Sequence, residues 1–204
     1  MNTKSITAFI FIFILSATII PSATEIINQD NNILSNCIED YIFVDDDNIL
    51  GPWHGTRNHP FQVIQDAIDF AQTNQVIYIF NGKYNQTIDI NKKITLIGQD
   101  KQSTLMDGVF QPIIISVNHE GVMIQNLTIQ KSGGEQGNTG IFINASNILI
   151  KNCQFFQTRT AVKSSRQENI TLINCLFHKN GEGIYFNQNI DCSIENCTFY
   201  QNGL

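Results

Sequence analysis

The sequence lacks a concentrated basic surface. Its 204 residues include 12 lysines and arginines against 18 aspartates and glutamates, a net charge of −6, and the cations are scattered along the chain. Because nucleic-acid-binding proteins cluster positive charge on one face, this distribution argues against a nucleic-acid partner. After residue 20, no segment approaches the roughly 20 apolar residues that a membrane helix needs. We therefore predict no membrane span in the mature chain.

The cysteines do not form the pattern of a disulfide framework. There are five of them, and in an exported chain an odd number leaves at least one thiol free or paired between molecules. Cys37 stands apart, and the other four fall inside the repeat described below. In a stack, the Cα–Cβ bonds of successive cysteines point in the same direction rather than toward each other, which argues against disulfides between them. Thiols in a row also do not converge on one metal ion. We interpret the three that stack in one column, Cys153, Cys175 and Cys197, as small apolar core residues.

The amino terminus has the three parts of a secretory signal peptide. Lys4 precedes an apolar run from Ile6 to Ile20, and small residues follow around Ala23. We expect residues 1–23 to be a cleaved signal, which would place the mature protein on the extracellular surface or in the periplasm. The alternative is an uncleaved membrane anchor. Residues 24–40 are polar and rich in asparagine, and we interpret them as a flexible leader.

A repeat of about 22 residues organises the second half of the chain. Four asparagines set its register at spacings of 26, 22 and 22 residues: Asn126, Asn152, Asn174 and Asn196. Apolar residues keep constant offsets from them. Two positions before stand Ile124, Ile150, Leu172 and Ile194; one after stand Leu127, Cys153, Cys175 and Cys197; three after stand Ile129, Phe155, Phe177 and Phe199. The alternation of apolar and polar positions predicts short strands with one buried face.

Strands this short cannot bury a face alone, so we predict that the repeats stack. The expected fold is all-β, a single-stranded right-handed parallel β-helix (a solenoid) with coils about 4.8 Å apart. Cys153, Cys175, Cys197, Phe155, Phe177 and Phe199 would form the core stack. The four asparagines would form a structural ladder of amides at a bend, and ligand-binding amides are the alternative. Four extra residues near 132–137 would loop out on one face, which in solenoids is often the binding face.

Residues 41–75 are predicted to form an N-terminal cap. Phe61, Ile64, Ile68 and Ala71 recur at helical spacing, so we expect an amphipathic helix over about 60–73 to plug the first coil. The β-helix is expected over residues 76–204. Because residues 202–203 align with residues 180–181, the chain stops in mid-coil, and we expect the sequence to be truncated at its C-terminus.

Several short segments resemble a known group of proteins. They are residues 42–48 (IFVDDDN), 51–56 (GPWHGT), 59–61 (HPF), 64–68 (IQDAI) and 94–98 (ITLIG). Together they resemble surface β-helix proteins of archaea and bacteria in the pectin-lyase-like superfamily, which includes the NosD-like proteins, over about residues 41–204. The resemblance implies the fold and an exported location. The group contains polysaccharide lyases, hydrolases and a periplasmic copper-centre maturation protein, and the motifs do not select among these activities.

The distribution of acidic residues offers no catalytic pair. Glycoside hydrolysis needs two carboxylates roughly 5–9.5 Å apart across one groove. The acids after residue 122 are Glu135, Glu168, Glu182, Asp191 and Glu195, and no column of the repeat holds two of them. We therefore assign no catalytic residue. Arg159 and Arg166 are candidate bases for a lyase, but no acidic cluster stacks beside either of them, and a solvated turn residue is the alternative interpretation.

Two groups of residues are candidate metal ligands. Asp45, Asp46 and Asp47 are the densest carboxylates and could bind Ca²⁺ with backbone oxygens from the loop at Gly51; the alternative is a solvated turn of the cap. His54 and His59 flank the same loop, but copper or zinc would require further histidines to converge with them. No cofactor is expected apart from this Ca²⁺ candidate.

The leading functional hypothesis is an exported, non-catalytic β-helix module of the cell surface or periplasm. It would serve display, adhesion or glycan contact, with polysaccharide or cell-envelope glycans as partners. One alternative is a polysaccharide lyase or glycoside hydrolase whose catalytic coils are incomplete here. The other is a NosD-like periplasmic protein that handles copper.

Overall fold

The computed structural model describes residues 41–203. The predicted signal peptide (1–23) and leader (24–40) lie outside the described residues. Within the described range, short strands form three parallel sheets, and the chain passes from sheet 1 to sheet 2 to sheet 3 in each coil. Consecutive coils pair strand on strand in register, as between Phe155 and Phe177. About six coils of roughly 22 residues result, which confirms the predicted right-handed parallel β-helix.

The strands are three to six residues long. Sheet 1 contains β1 (Tyr41–Val44), β2 (Val76–Ile79), β5 (Thr95–Gly98), β8 (Met123–Gln125), β11 (Ile148–Lys151), β14 (Ile170–Ile173) and β17 (Ser193–Glu195). Sheet 2 contains β3 (Gly82–Tyr84), β6 (Thr104–Asp107), β9 (Thr128–Gln130), β12 (Gln154–Phe156), β15 (Leu176–His178) and β18 (Thr198–Tyr200). Sheet 3 contains β4 (Ile88–Ile90), β7 (Ile113–Val117), β10 (Thr139–Ile143), β13 (Thr160–Ser165) and β16 (Glu182–Asn187).

The core is a set of like side chains stacked along the solenoid. The rings of Phe155 and Phe177 are 4.8 Å apart, and those of Phe177 and Phe199 are 4.6 Å apart, each pair being parallel within 3°. Phe155 and Phe177 are fully buried, whereas Phe199 is 46% exposed. Cys153 and Cys175 are also buried, and each thiol contacts a backbone carbonyl at 3.4 Å. Burial raises the pKa of Cys175 to about 12, so this thiol stays protonated.

The repeated asparagines occupy the bends between sheet 1 and sheet 2. Asn126, Asn152, Asn174 and Asn196 all have left-handed backbone conformations, with φ between 50° and 59°. Asparagine tolerates this region better than most residues, which gives a backbone reason for the repeat. The amide of Asn152 donates to Asn126 Oδ1 at 2.8 Å, whereas among residues 41–203 no side-chain hydrogen bond joins Asn174 to Asn152 or to Asn196. The amide ladder of the described coils at this bend is therefore short.

The helix α1 covers Ile64–Phe70, so it is shorter than the predicted 60–73. Its buried residues are Ile64, Ala67 and Ile68, and it packs against β1, β2 and β4. The residues before it are extended because the Phe61 N–H donates to the Phe43 carbonyl at 2.8 Å. The backbone leaves the helical region at Ala71, where ψ is 142°. Between residues 41 and 203, no helix has the length and apolarity required to cross a bilayer.

Candidate functional site

Four consecutive turns that connect sheet 2 to sheet 3 stack on one another and form a groove. They comprise residues 108–112, 131–138, 157–159 and 179–181. One cleft of about 230 Å³ is lined by Gln136, Gly137, Arg159, Thr160, Lys163, Glu182 and Tyr185. A second, of about 290 Å³, is lined by Phe110, Ser132, Gly133, Gly134, Gln157, Thr158, Arg159, Lys179 and Gly181. Because both clefts include Arg159, we call them together the Arg159 groove.

The long turn at 131–138 explains the position of the groove. It contains the extra residues that the sequence places near 132–137, and it contributes Gln136 and Gly137 to the first cleft and Gly133 and Gly134 to the second. The insertion therefore lies on the face where the clefts are, as solenoid insertions often do.

A buried amide fixes the turns beneath the groove. Asn180 is only 3% exposed, and its Oδ1 accepts hydrogen bonds from the Thr158 N–H at 3.0 Å and the Thr158 hydroxyl at 2.8 Å. Its Nδ2 donates to the Phe155 carbonyl at 3.1 Å. Asn202 repeats the last contact one coil later, donating to the Phe177 carbonyl at 2.9 Å. The alignment of residues 180–181 with 202–203 was the available sequence signal for this buried column.

Arg159 is held by its backbone and by an adjacent glycine. Its N–H donates to Ser132 Oγ at 3.0 Å, and its carbonyl accepts from the Glu182 N–H at 2.7 Å. A Cβ atom at Gly181 would lie 2.5 Å from a guanidinium nitrogen of Arg159 and 2.6 Å from its carbonyl oxygen. Glycine at 181 therefore leaves the space in which the Arg159 side chain lies across the turn.

The charged groups of the groove are mostly cations. Among residues 41–203, Arg159, Lys163 and Lys179 form no ion pair with a carboxylate, since both ion pairs there involve Asp107. The Lys163 ammonium lies 5.6 Å from the centre of the Tyr185 ring. Glu182 is the single carboxylate among the lining residues, and it accepts a hydrogen bond from Thr160 Oγ1 at 3.1 Å. The groove is thus locally positive in a chain of net charge −6.

Asp107 supports the turn at the edge of the second cleft. Its side chain is 2% exposed, and its Oδ2 pairs with Lys83 at 3.1 Å and Lys131 at 3.3 Å. Its Oδ1 accepts the Val109 N–H at 3.0 Å. Burial acts to raise the pKa of this carboxyl, but the hydrogen bonds from Val109, the two lysines and Gln130 outweigh burial and hold the pKa below its usual range.

Replacing Asp107 by asparagine is expected to destabilise the fold at neutral pH by about 1–3 kcal/mol, the usual cost of breaking buried hydrogen bonds to a charged group. Because the folded-state pKa is depressed, the stabilisation is present above the unfolded-state pKa of about 3.9 and is lost as the pH falls through the folded-state value. Urea unfolding of wild type and Asp107→Asn at pH 7 and at pH 2–3 measures this stabilisation and its loss in acid.

The difference in the free energy of unfolding between wild type and Asp107→Asn should therefore be smaller in acid than at pH 7. Asp66→Asn, on the exposed face of α1, is the control and should change little at either pH. A difference between wild type and Asp107→Asn that stays constant from pH 7 to pH 2 would contradict the assignment.

The candidate Ca²⁺ ligands contact the backbone. Asp46 Oδ2 accepts the Lys83 N–H at 3.0 Å, and Asp45 Oδ1 accepts the Asp47 N–H at 3.1 Å. Asp47 is exposed. In the described part of the chain, no three histidine, cysteine or acidic residues are grouped so as to hold a metal ion. The observed contacts of Asp45 and Asp46 stabilise the turn that follows β1.

The structure brings together only some of the other candidate residues. The rings of His54 and His59 are 5.9 Å apart. One of the further histidines that a copper or zinc site would need, His178, lies in sheet 2, stacked between Phe156 at 4.7 Å and Tyr200 at 5.0 Å. Arg166 lies at the corner between sheet 3 and sheet 1, where its Nε donates to Gln188 at 3.1 Å. Of the two candidate bases, only Arg159 lines the groove.

Comparisons with known proteins agree with this architecture. A family model described as "Right handed beta helix region" matches residues 113–204. Pectinesterase/pectinesterase inhibitor 18 of Arabidopsis thaliana is 27% identical over 112 residues, which cover 46% of this chain and 20% of that protein. The GH136 lacto-N-biosidase from Eubacterium ramulus has a TM-score of 0.60 at 12% identity, covering 88% of this chain and 44% of that chain.

A pectin methylesterase from carrot has a TM-score of 0.48 at 14% identity, covering 74% of this chain and 63% of that chain. This chain thus spans a fifth of the curated relative that it matches and less than two thirds of each of these two structures. At 12% identity, the structural likeness to the lacto-N-biosidase shows the fold alone.

Proposed function

We propose that this right-handed parallel β-helix protein is an exported, non-catalytic module, related to the pectin-lyase-like superfamily, that binds acidic polysaccharide in the Arg159 groove. The observation that carries the proposal is the group of cations in the groove, Arg159, Lys163 and Lys179, none of which pairs with a described carboxylate. Export rests on the signal-peptide pattern of residues 1–23.

The charge pattern favours a polyuronate over a neutral glycan. A guanidinium binds a carboxylate through two parallel hydrogen bonds, and such charge-assisted bonds are among the strongest in proteins. A chain with a net charge of −6 would otherwise repel a polyanion, so an exposed positive groove is where such a ligand would bind. The name of the curated relative, a pectinesterase, supports the same ligand class.

The non-catalytic part of the proposal rests on the carboxylates. Acid–base hydrolysis of a glycoside uses two of them, roughly 5–9.5 Å apart, and Glu182 is alone among the lining residues of the two clefts. We also propose that α1 caps the first coil, because its buried residues pack against β1, β2 and β4 and the end of a solenoid requires a cover.

Calorimetric titration of the protein with oligogalacturonate tests the binding proposal. We expect binding that weakens as salt is raised, because the charges that meet are solvent-accessible. The matched ligand is the same oligomer with its carboxylates reduced to primary alcohols, and it should bind at least about tenfold more weakly, since one lost charged hydrogen bond accounts for that factor. Equal affinities for the two oligomers, or no binding of either, would contradict the proposal.

The same titration distinguishes metal-free binding from binding that depends on Ca²⁺. The proposed contacts need no cofactor, so EDTA should leave the affinity unchanged. Loss of binding in EDTA with recovery on adding Ca²⁺ would instead favour a Ca²⁺ site at Asp45, Asp46 and Asp47.

A carbohydrate-active enzyme is the second candidate function. It is favoured by Glu182, whose carboxylate lines the same cleft as Arg159, and by the pectinesterase relative. Assays for methanol release, for new reducing ends and for unsaturated products on methylated and unmethylated polygalacturonate distinguish the two candidates. Turnover that disappears in a Glu182→Gln variant would replace the binding proposal with a catalytic one.

A further inference from the structure

Phe110 is an exposed aromatic residue in a strained turn at the edge of the groove. Its side chain is 71% exposed, it lines the second cleft, and its φ of 63° is in the left-handed region. Val109, the residue before it, has a φ of 46°. Residues with a Cβ are destabilised in this region, most of all β-branched ones. Two successive non-glycine residues in this conformation are unusual, and such strain often accompanies function.

The surrounding contacts hold the turn in this conformation. The Phe110 N–H donates to the Lys131 carbonyl at 3.0 Å, and the Gln111 N–H donates to the Gly108 carbonyl at 2.8 Å. The buried carboxylate of Asp107 accepts the Val109 N–H at 3.0 Å. A Cβ atom at Gly133 would lie 2.9 Å from the Phe110 carbonyl oxygen, so the next coil also fits closely against this turn. These contacts fix a turn whose aromatic side chain is largely solvent-exposed.

The two clefts are positioned to bind different sugar units of one oligosaccharide. They share Arg159, and the second cleft extends along the stacked turns from Phe110, two coils before Arg159, to Lys179, one coil after it. A pyranose ring has one face of C–H groups that can pack on an aromatic ring, and its carboxylate can meet a cation at its edge. An apolar surface with a few placed polar groups is the usual composition of a small-molecule site.

We propose that Phe110 forms a second sugar subsite, in which it packs against the face of one uronate ring while Arg159 and Lys179 contact the carboxylates of units farther along the same chain. This inference rests on the proposed function and adds to it a ligand that occupies both clefts. Arg159 contributes to both subsites, whereas Phe110 contributes only to the second.

The test compares short and long oligogalacturonates on the full chain. Phe110→Ala should weaken binding of a hexamer about tenfold, which is the effect of losing one aromatic contact and its buried area. The much weaker binding of a monomer should stay unchanged. Phe110→Trp should restore hexamer binding. Val109→Ala is the matched control, because Val109 is 51% exposed in the same turn but does not line either cleft.

A second variant separates binding from folding. Phe110→Gly removes the ring and relieves the left-handed strain, so it should raise the urea midpoint relative to Phe110→Ala while losing hexamer affinity to the same extent. An unchanged hexamer affinity in Phe110→Ala, or an equal loss for monomer and hexamer, would overturn the subsite. If wild type binds no oligomer of any length, the proposed function fails and the subsite fails with it.

Discussion

The Arg159→Glu variant is expected to bind oligogalacturonate roughly 100-fold more weakly than wild type. The substitution removes the cation shared by both clefts and places a carboxylate near Glu182, so an attractive contact becomes a repulsive one. Losing a charged hydrogen bond in a recognition site costs about 1.5–3 kcal/mol, and like-charge contacts add to that cost. Titration at constant low salt measures the change.

Two comparison variants make the Arg159 result specific. Arg166→Glu makes the same change of charge at the corner between sheet 3 and sheet 1, so it should reduce affinity by no more than a small long-range effect that salt removes. Arg159→Gln removes the charge without adding one and should give an intermediate loss. Equal losses in Arg159→Glu and Arg166→Glu would mean that net charge, rather than the groove, governs binding.

Phe177→Ala is expected to destabilise the protein by about 3–5 kcal/mol, the usual cost of emptying a buried phenylalanine site. The ring is fully buried between two parallel neighbours at 4.8 and 4.6 Å, so the cavity adjoins the coils on both sides. In a solenoid, stability depends on the interfaces between neighbouring repeats, and this substitution weakens two of them. Urea unfolding followed by circular dichroism measures the loss.

Phe199→Ala is the matched control for the core stack. Phe199 is 46% exposed and has a described ring neighbour on one side, so its loss should cost about half as much or less, in proportion to the buried area. Equal destabilisation by the two substitutions, or a cost below about 1 kcal/mol for Phe177→Ala, would mean that the stacked rings contribute little beyond local packing.

The strand register could be predicted because the repeat carries it. When Asn152, Asn174 and Asn196 set a constant period, the residues at fixed offsets must share a column, and this is how Phe155 and Phe177 come to be paired in β12 and β15. The start of the helix could not be predicted as well. Phe61 fits a helical apolar pattern, yet its N–H pairs with Phe43 in β1, a long-range contact that periodicity does not contain.

The groove could be predicted only in part. The insertion near 132–137 predicts the face of the solenoid that carries the groove, and Arg159 is one of the two candidate bases in the sequence. The part of Phe110 in the second cleft could not be predicted, because Phe110 precedes the regular repeats and neither its exposure nor its left-handed backbone leaves a sequence pattern. The repeat marks the column of Asn180 and Asn202, but the contact of Asn180 with Thr158 could not be predicted, because the stacked position one coil earlier holds a threonine rather than an asparagine.

The most direct test of the binding proposal is a crystal structure of the protein with a galacturonate hexamer. It should show the sugar chain along the turns between sheet 2 and sheet 3, with one carboxylate on the guanidinium of Arg159. A hexamer bound to another face of the solenoid, with Arg159 making no contact to it, would contradict the account.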